Sequence, residues 1–316
     1  MPDDVGVAAR IQRDAAGELP RGVEARLRPV SHGARRLVEG WRTVRDARLV
    51  HGLDVDLPWR CDAPRVATVH DLSVFDVPWA FSRYRAAGER YAVARGVRAA
   101  DALIAVSRFT ADAIGERFGR PATVIHLAPA PEFAPAPPTD RADVIDRYEL
   151  PDRFVLHVGT VEPRKDVGGL VEACRRLDAT LVLAGAVEVE VPASSDVRFL
   201  GYVPADDLGP LYGAATVVAY PSRYEGFGLP PIEAMACGAA VVATSVGALP
   251  EIVPAGFDLV SPGDLGALTE ALRAGLFDEG QRSKLVRLGA EAVGRLSRTD
   301  TAAATIEVYR GLGVAC

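Results

Sequence analysis

The chain has 316 residues, 49% of them hydrophobic and 25% charged, with a formal net charge of −6. That length accommodates two domains of ordinary size, and the acidic balance argues against a nucleic-acid partner, which normally meets a basic surface. No run of 18 apolar residues predicts a membrane-spanning helix. Met1-Pro-Asp-Asp-Val-Gly6 lacks the basic and apolar regions of a signal peptide. Cys61, Cys174, Cys237 and Cys316 have no metal-like spacing, so the expected compartment is a reducing cytoplasm.

In chain order, β-branched apolar runs predict strands at residues 23–28, 49–51, 66–69, 102–106 and 123–126, with helices at 33–45, 82–99 and 108–118. Residues 128–138 carry five prolines in eleven positions and read as a stiff, extended linker. A second series of strands follows at 154–159, 180–184, 198–200, 217–220, 241–244 and 259–260, with helices in most of the gaps. Such alternation implies parallel sheets covered on both faces. Two such units joined by a linker form a cleft, a preferred place for ligands.

Four segments carry residues suited to chemistry. Val69-His-Asp-Leu-Ser73 follows a strand, so His70 and Asp71 lie at a carboxyl edge, as an acid–base pair or a sugar-binding pair. Neighbours on extended backbone point apart, which argues against Asp71 directly orienting His70. Val158-Gly-Thr-Val-Glu-Pro-Arg-Lys165 places two cations, Arg164 and Lys165, in a turn before a helix. Arg grips phosphate oxygens with two N–H groups, and Lys acts as a point charge. Phe199-Leu-Gly-Tyr-Val-Pro204 ends another strand. Tyr224-Glu-Gly-Phe-Gly-Leu-Pro-Pro-Ile-Glu-Ala-Met-Ala236 reads as a Gly-rich loop running into a helix that starts near Pro230. Its carboxylates, Glu225 and Glu233, have seven residues between them. Glycines there let backbone N–H groups approach a ligand at the positive end of the helix.

These segments, with Tyr220-Pro-Ser222 and Ala248-Leu-Pro-Glu251, resemble the signature of the retaining glycosyltransferases of family 4, the group 1 glycosyl transferases. The resemblance implies the α/β GT-B architecture, two Rossmann-like domains facing a cleft. The first would span residues 1–133 on the acceptor side. The second would span 150–298 and hold the nucleotide sugar. A helix within 299–316 would cross back onto the first domain. It also implies roles. Glu225 lies beside the transferred sugar and Glu233 binds the donor ribose. Arg164 and Lys165 hold the diphosphate, and His70 contacts the sugar from the first domain. Gly159, Thr160, Gly226, Phe227, Gly228 and Leu229 line the donor, and Tyr202 and Val203 belong to the segment whose backbone reads the base. Gly6 and Asp71 fall on the acceptor side.

Against the family pattern, residues 5–18 resemble the first helix and 22–27 the second strand, with Gly6 at the tail of the N-terminal Gly-rich loop. An opening strand, on the order of fifteen residues with its loop, is therefore expected to be lacking. The family needs no metal and no cofactor, and Asp54-Val-Asp56, although of metal-binding type, is read as an acidic loop. The motif combination is most similar to mannosyltransferases using GDP-mannose, with a UDP-sugar as the alternative donor. The expected acceptor is a glycan or lipid-linked sugar, which would bring the protein to the inner membrane face. Two other functions fit the architecture: a nucleotide-sugar epimerase, and a nucleotide-sugar-binding protein without turnover.

Overall fold

The computed structural model describes residues 8–12, 24–28, 47–191 and 196–314. Gly6 and the helix expected at 33–45 lie outside these residues. Near the start, β1 (Ala8–Gln12) and β2 (Glu24–Arg28) pair in parallel, from Ala8↔Glu24 to Gln12↔Arg28. Residues 8–12 are thus strand, where the family resemblance puts helix. The ladder with β2 outweighs the local helix preference of Ala8 and Ala9.

The rest of the first domain is a four-stranded parallel sheet, β3 (Val50–Gly52), β4 (Arg65–Val69), β5 (Ala102–Ala105) and β6 (Thr123–Val124), in sequential order. Among the described residues β3 has β4 as its only strand partner. On one face lie α1 (Ser73–Asp76), α2 (Arg83–Ala99) and α3 (Arg108–Phe118), packed through Val69, Leu72, Val97, Leu103 and Ile114. Both long helices start on a serine. The Ser82 side chain accepts from Arg85 N, and Ser107 accepts from Thr110 N, each satisfying an amide that the helix leaves open.

The other face is covered by the last helix of the chain. Val66, Ile104 and Ile125 pack against Ala304, Val308 and Tyr309 of α11 (Arg298–Gly311) and against Leu312, its C-cap. The Tyr309 hydroxyl lies 2.6 Å from His51 Nδ1, and Thr301 donates to the His126 carbonyl at 2.7 Å.

The second domain holds β7 (Val155–Val158), β8 (Leu181–Ala184), β9 (Val197–Gly201), β10 (Val217–Tyr220) and β11 (Val241–Ala243). All pair in parallel, in the spatial order β11-β10-β7-β8-β9. Val260 extends the β11 edge by one bridge to Thr244. This is the doubly wound order, with the first strand central and the chain turning back between β7 and β10. The sheet is apolar on both faces. One face packs α5 (Val167–Arg176) and α9 (Leu265–Phe277), and the other α6 (Ala205–Ala214), α7 (Leu229–Ala236) and α10 (Glu279–Val293).

The proline-rich segment is anchored to this second domain. Phe133 packs edge-on against Tyr212, ring centroids 6.1 Å apart. A helix absent from the sequence expectation, α4 (Pro138–Arg147), starts on the last of the prolines and lies against α6. Arg147 pairs with Asp207, and the Tyr148 hydroxyl donates to Asp207 at 2.6 Å.

Candidate active site

In a doubly wound sheet the strands on either side of the reversal send their following loops apart, leaving a crevice at their carboxyl ends. Here the flanking strands are β7 and β10. The turn after β7 passes through Gly159, at φ +137°, to a single 3-10 turn, Pro163–Lys165. The loop after β10 runs from Pro221 to Gly228, the N-cap of α7. The two loops meet side by side, which brings Arg164 and Lys165 onto Glu225.

The Glu225 carboxylate is largely buried and fully engaged. Oε1 pairs with Lys165 Nζ and accepts from Ser222 Oγ at 2.8 Å. Oε2 lies 3.0 Å from Arg164 Nη1. Burial by itself would push the Glu225 carboxyl up, but the Lys165 and Arg164 charges outweigh it and hold the group below the usual carboxylate range. Glu225 is therefore an anion at neutral pH. Arg164 is shared with Glu162 at 2.8 Å; burial lowers its affinity for the proton, and Glu225 and Glu162 more than restore it.

Glu233 is set apart from this cluster. It lies in α7, whose first turn carries Pro230 and Pro231 and whose N-cap, Gly228, has φ +87°. Only glycine takes that backbone without strain. Glu233 Oε2 accepts from the Tyr212 hydroxyl at 3.4 Å, and Tyr212 and Tyr220 hydroxyls lie 3.2 Å apart. Burial raises the Glu233 carboxyl above its ordinary value, with Tyr212 opposing.

The first domain closes over the same loop. A Cβ on Gly226 would stand 1.8 Å from the His70 carbonyl oxygen and 2.8 Å from Asp71 Cβ. Gly226 therefore lies directly against the His70–Asp71 backbone. Ser107 Oγ donates to the Gly226 carbonyl at 2.7 Å. The Tyr224 hydroxyl donates to Asp76 at 2.9 Å and accepts from Leu72 N at 3.2 Å. His70 is exposed, with Nε2 donating to the Leu53 carbonyl at 2.7 Å. Asp71 accepts from both N and Oγ of Ser73, the first residue of α1, rather than bonding to His70.

The remaining expected donor residues line the edge of the second sheet. Gly159, Gly185 and Gly201 all have positive φ where β7, β8 and β9 end. A Cβ on Gly185 would meet the Gly159 carbonyl oxygen at 2.3 Å. These glycines make a low shelf beside Thr160. Tyr202, 85% exposed, stands at its end, while the Val203 side chain is buried. Phe227 is buried in the core near His126, and Leu229 is half-buried at the start of α7, so Phe227 offers a ligand only its backbone. Among the described residues no group of three or more His, Cys, Asp or Glu is placed to hold a metal. His157 is fully buried against Tyr220, with Nδ1 donating to the Ala219 carbonyl.

Ser222, Glu162 and Gly185 join the site without a motif role of their own. Ser222 follows β10 and is buried against Glu225, and Glu162 sits two residues before Arg164. A side chain capable of bonding beside a motif carboxylate or cation was the available signal. For Gly185 it was a glycine at the end of an apolar run.

Two Rossmann-like domains, with a cation–carboxylate cluster at the reversal of one sheet and a histidine loop of the other closing on it, define a GT-B glycosyltransferase. The family model of the group 1 glycosyl transferases matches residues 152–278, and that of Glycosyltransferase Family 4 matches residues 4–131. The chain belongs to this family. It is 32% identical over 282 residues to the O-antigen chain mannosyltransferase B of Escherichia coli, covering 83% of this chain and 74% of that protein. It is 31% identical over 336 residues to a D-inositol 3-phosphate glycosyltransferase of Xylanimonas cellulosilytica, covering 94% and 78%. A further relative, the serotype-specific mannosyltransferase WbdA of Escherichia coli, is 31% identical over 177 residues, and those residues are 22% of its length.

Among solved structures, sucrose-phosphate synthase of Thermosynechococcus elongatus superposes with a TM-score of 0.68 at 27% identity, over 84% of this chain and 73% of that one. HepE of Anabaena, in complex with UDP-glucose, gives 0.66 at 25% identity, over 79% and 72%. No helix among the described residues is long and apolar enough to cross a membrane.

Proposed function

We propose that this glycosyltransferase moves a hexose, mannose in the first instance, from a nucleotide-diphosphate sugar to a glycan or lipid-linked acceptor, with retention at the anomeric carbon and without a metal. The observation that carries the reading is the buried Glu225 anion held between Lys165, Arg164 and Ser222 where the His70 loop closes on it. The donor of the reaction carries a diphosphate, and charge builds on it as the sugar departs. Two cations already placed on one short turn stabilise that charge. When the diphosphate arrives it competes with Glu225 for Arg164 and Lys165. The carboxylate is then free to turn to the sugar hydroxyls and favour positive charge at the ring.

Glu233, next to two tyrosine hydroxyls, suits a ribose diol. The Gly159–Gly185–Gly201 shelf and the backbone at Tyr202 and Val203 suit a flat base. The acceptor approaches from the His70 and Asp71 side, and its proton passes to the departing phosphate. Closed domains keep water from the activated sugar.

The mannose assignment rests on the mannosyltransferase relatives, and GDP-mannose is the donor to try first. A UDP-sugar is the alternative, since HepE was solved with UDP-glucose. Acceptor entry fits the face around α2. Trp79, Tyr84 and Tyr91 are exposed there among Arg83, Arg85, Arg90 and Arg98, and Arg85 reaches Glu188 of the second domain at 3.9 Å, so α2 borders the cleft. Aromatic and guanidinium groups together suit sugar rings, and equally an anionic cytoplasmic membrane face.

The test is a thermal-shift comparison of GDP, UDP and ADP, followed by NMR of the product's anomeric configuration. A ligand that binds the native state raises its melting temperature according to concentration over dissociation constant. Selective stabilisation by GDP, and an α-linked product from an α-linked donor, are expected. A response to UDP alone moves the donor to a UDP-sugar. An inverted product removes the retaining mechanism.

A further inference from the structure

The Ala248-Leu-Pro-Glu251 segment matches the family signature, yet the chemistry above gives Glu251 nothing to do. Its carboxylate lies across the domain boundary. Glu251 belongs to α8 (Leu249–Ile252) of the second domain. Its Oε2 accepts from Arg108 N at 2.9 Å and its Oε1 from Phe109 N at 2.9 Å. These are the first two residues of α3, in the first domain. His126 Nε2, where the first domain's last strand runs out, lies 3.1 Å from the same Oε2.

A helix begins with amides that have no partner within it and with the positive end of its dipole. In α3 the Thr110 amide is satisfied from within the domain by Ser107 Oγ at 3.0 Å. Among the described residues, the amides of Arg108 and Phe109 are satisfied only by the carboxylate of the other domain. The helix start is thus completed when the two domains are together, and left open when they part.

This contact connects to the site at both ends. Ser107, the N-cap of α3, donates to the carbonyl of Gly226. On the other side, the Ser245–Ala248 loop that leads into α8 backs the Glu225 loop. Gly247 has φ +60°, and a Cβ there would stand 2.8 Å from the Glu225 carbonyl oxygen. Beside Glu251 lies a recess of about 340 Å³ between the domains, lined by Arg108, Phe109, Arg223 and Tyr224 among others.

We propose that Glu251 is a positioning residue that sets the closed arrangement of the two domains, by capping α3 from across the cleft and so holding His70 against the Glu225 loop. The proposal rests on the glycosyltransferase reading of the site and assigns that site a determinant of closure. Breaking the cap leaves the nucleotide side of the second domain untouched and loosens the registration of His70.

The test compares Glu251→Ala, Glu251→Gln and His126→Ala with the parent in three readouts: turnover, nucleotide affinity by calorimetry, and the radius of gyration by solution scattering with nucleotide bound. A displacement of about 1 Å at a reacting centre costs up to ~100-fold in rate. Glu251→Ala is accordingly expected to lose roughly 10- to 100-fold in kcat with nucleotide affinity within about twofold, and to scatter as a more open molecule. Glu251→Gln, which keeps an acceptor oxygen but not the charge, falls between, as does His126→Ala.

Unchanged kcat and unchanged scattering in Glu251→Ala, with or without a lower Tm, would overturn the proposal and leave Glu251 a stabilising cap. Parallel loss of nucleotide binding and turnover would overturn it too, since the damage would then lie in the second domain. The scattering arm needs no turnover, so a wrong assignment of the donor sugar or the acceptor leaves it readable.

Discussion

Gly226→Ala separates the two demands that place glycines in this loop. Gly228 needs glycine for its backbone, at φ +87°; Gly226 is not among the residues with positive φ, so alanine costs its backbone nothing. The cost is contact. The added Cβ would lie 1.8 Å from the His70 carbonyl oxygen and 2.8 Å from Asp71 Cβ. Carbon and carbonyl oxygen approach no closer than about 3.3 Å, so the loop and the first domain must separate by roughly 1.5 Å. Backbone supplies the nearest obstruction, so no change of rotamer relieves it.

Overpacking of this kind costs about 1–3 kcal/mol when it is locked inside a core. Here the domains can part instead, so the stability loss falls at the lower end, about 1 kcal/mol or a Tm drop of roughly 2–4 °C. The activity loss falls at the upper end: a shift of that size at the reacting centre predicts kcat down about 100-fold. Steady-state kinetics with the donor, and calorimetry with the nucleotide, provide the assay. Nucleotide affinity should stay within about threefold, because the nucleotide contacts proposed above lie in the second domain. Parental kcat in Gly226→Ala would refute the reasoning, since it would mean that the working enzyme does not hold His70 against this loop.

Three further outcomes follow from the geometry. Ser222→Ala removes a hydrogen bond to a buried anion, an interaction contributing about 1.5–3 kcal/mol; kcat is expected to fall more than nucleotide affinity, and denaturant unfolding should show the stability loss. Burial pushes His157 down from 6.5 to about 4, so the folded protein binds fewer protons than the unfolded chain between those values. Its contribution is complete above pH 6.5 and is lost as pH falls towards 4, up to about 3 kcal/mol; a His157→Phe variant should show a flatter pH dependence of unfolding over that window. Glu225 has the corresponding carboxylate sign. Its contribution is present above the ordinary carboxylate value and is lost as pH falls through and below that range, and a Glu225→Gln variant should lack this part of the acid sensitivity in the same titration.

Much of the second domain could be read from sequence, because its signals are local. Buried parallel strands are continuous apolar runs, and 217–220, 181–184 and 155–158 stand out as such. Pro230-Pro231 marks the start of α7, and in the first domain Ser107 marks the start of α3. The motif segments that hold Arg164, Lys165 and Glu225 stand out in the sequence, but the direct Lys165–Glu225 pair depends on β7 and β10 being neighbours. That is a fact of topology, which a linear sequence carries only through family resemblance.

The misses have the same origin. Residues 8–12 take strand because of a partner sixteen residues on, not because of their own preference. Helix α4 was hidden by the prolines around its start, although proline is well suited to a first helical turn. Glu251 could be seen as a motif residue, but its amide partners lie more than 140 positions away and are backbone, so no side-chain pattern announces them.

The central claim is that the buried Glu225, released from Arg164 and Lys165 by the donor diphosphate, acts on the sugar and does not serve to bind the nucleotide. The most direct measurement is turnover and nucleotide affinity of Glu225→Gln, which keeps the shape and removes the charge. The account predicts nucleotide affinity within a few-fold of the parent and a kcat reduced by roughly 100-fold or more, as for loss of a preorganised electrostatic group. Full turnover in that variant would contradict it, as would loss of nucleotide binding in proportion to loss of rate.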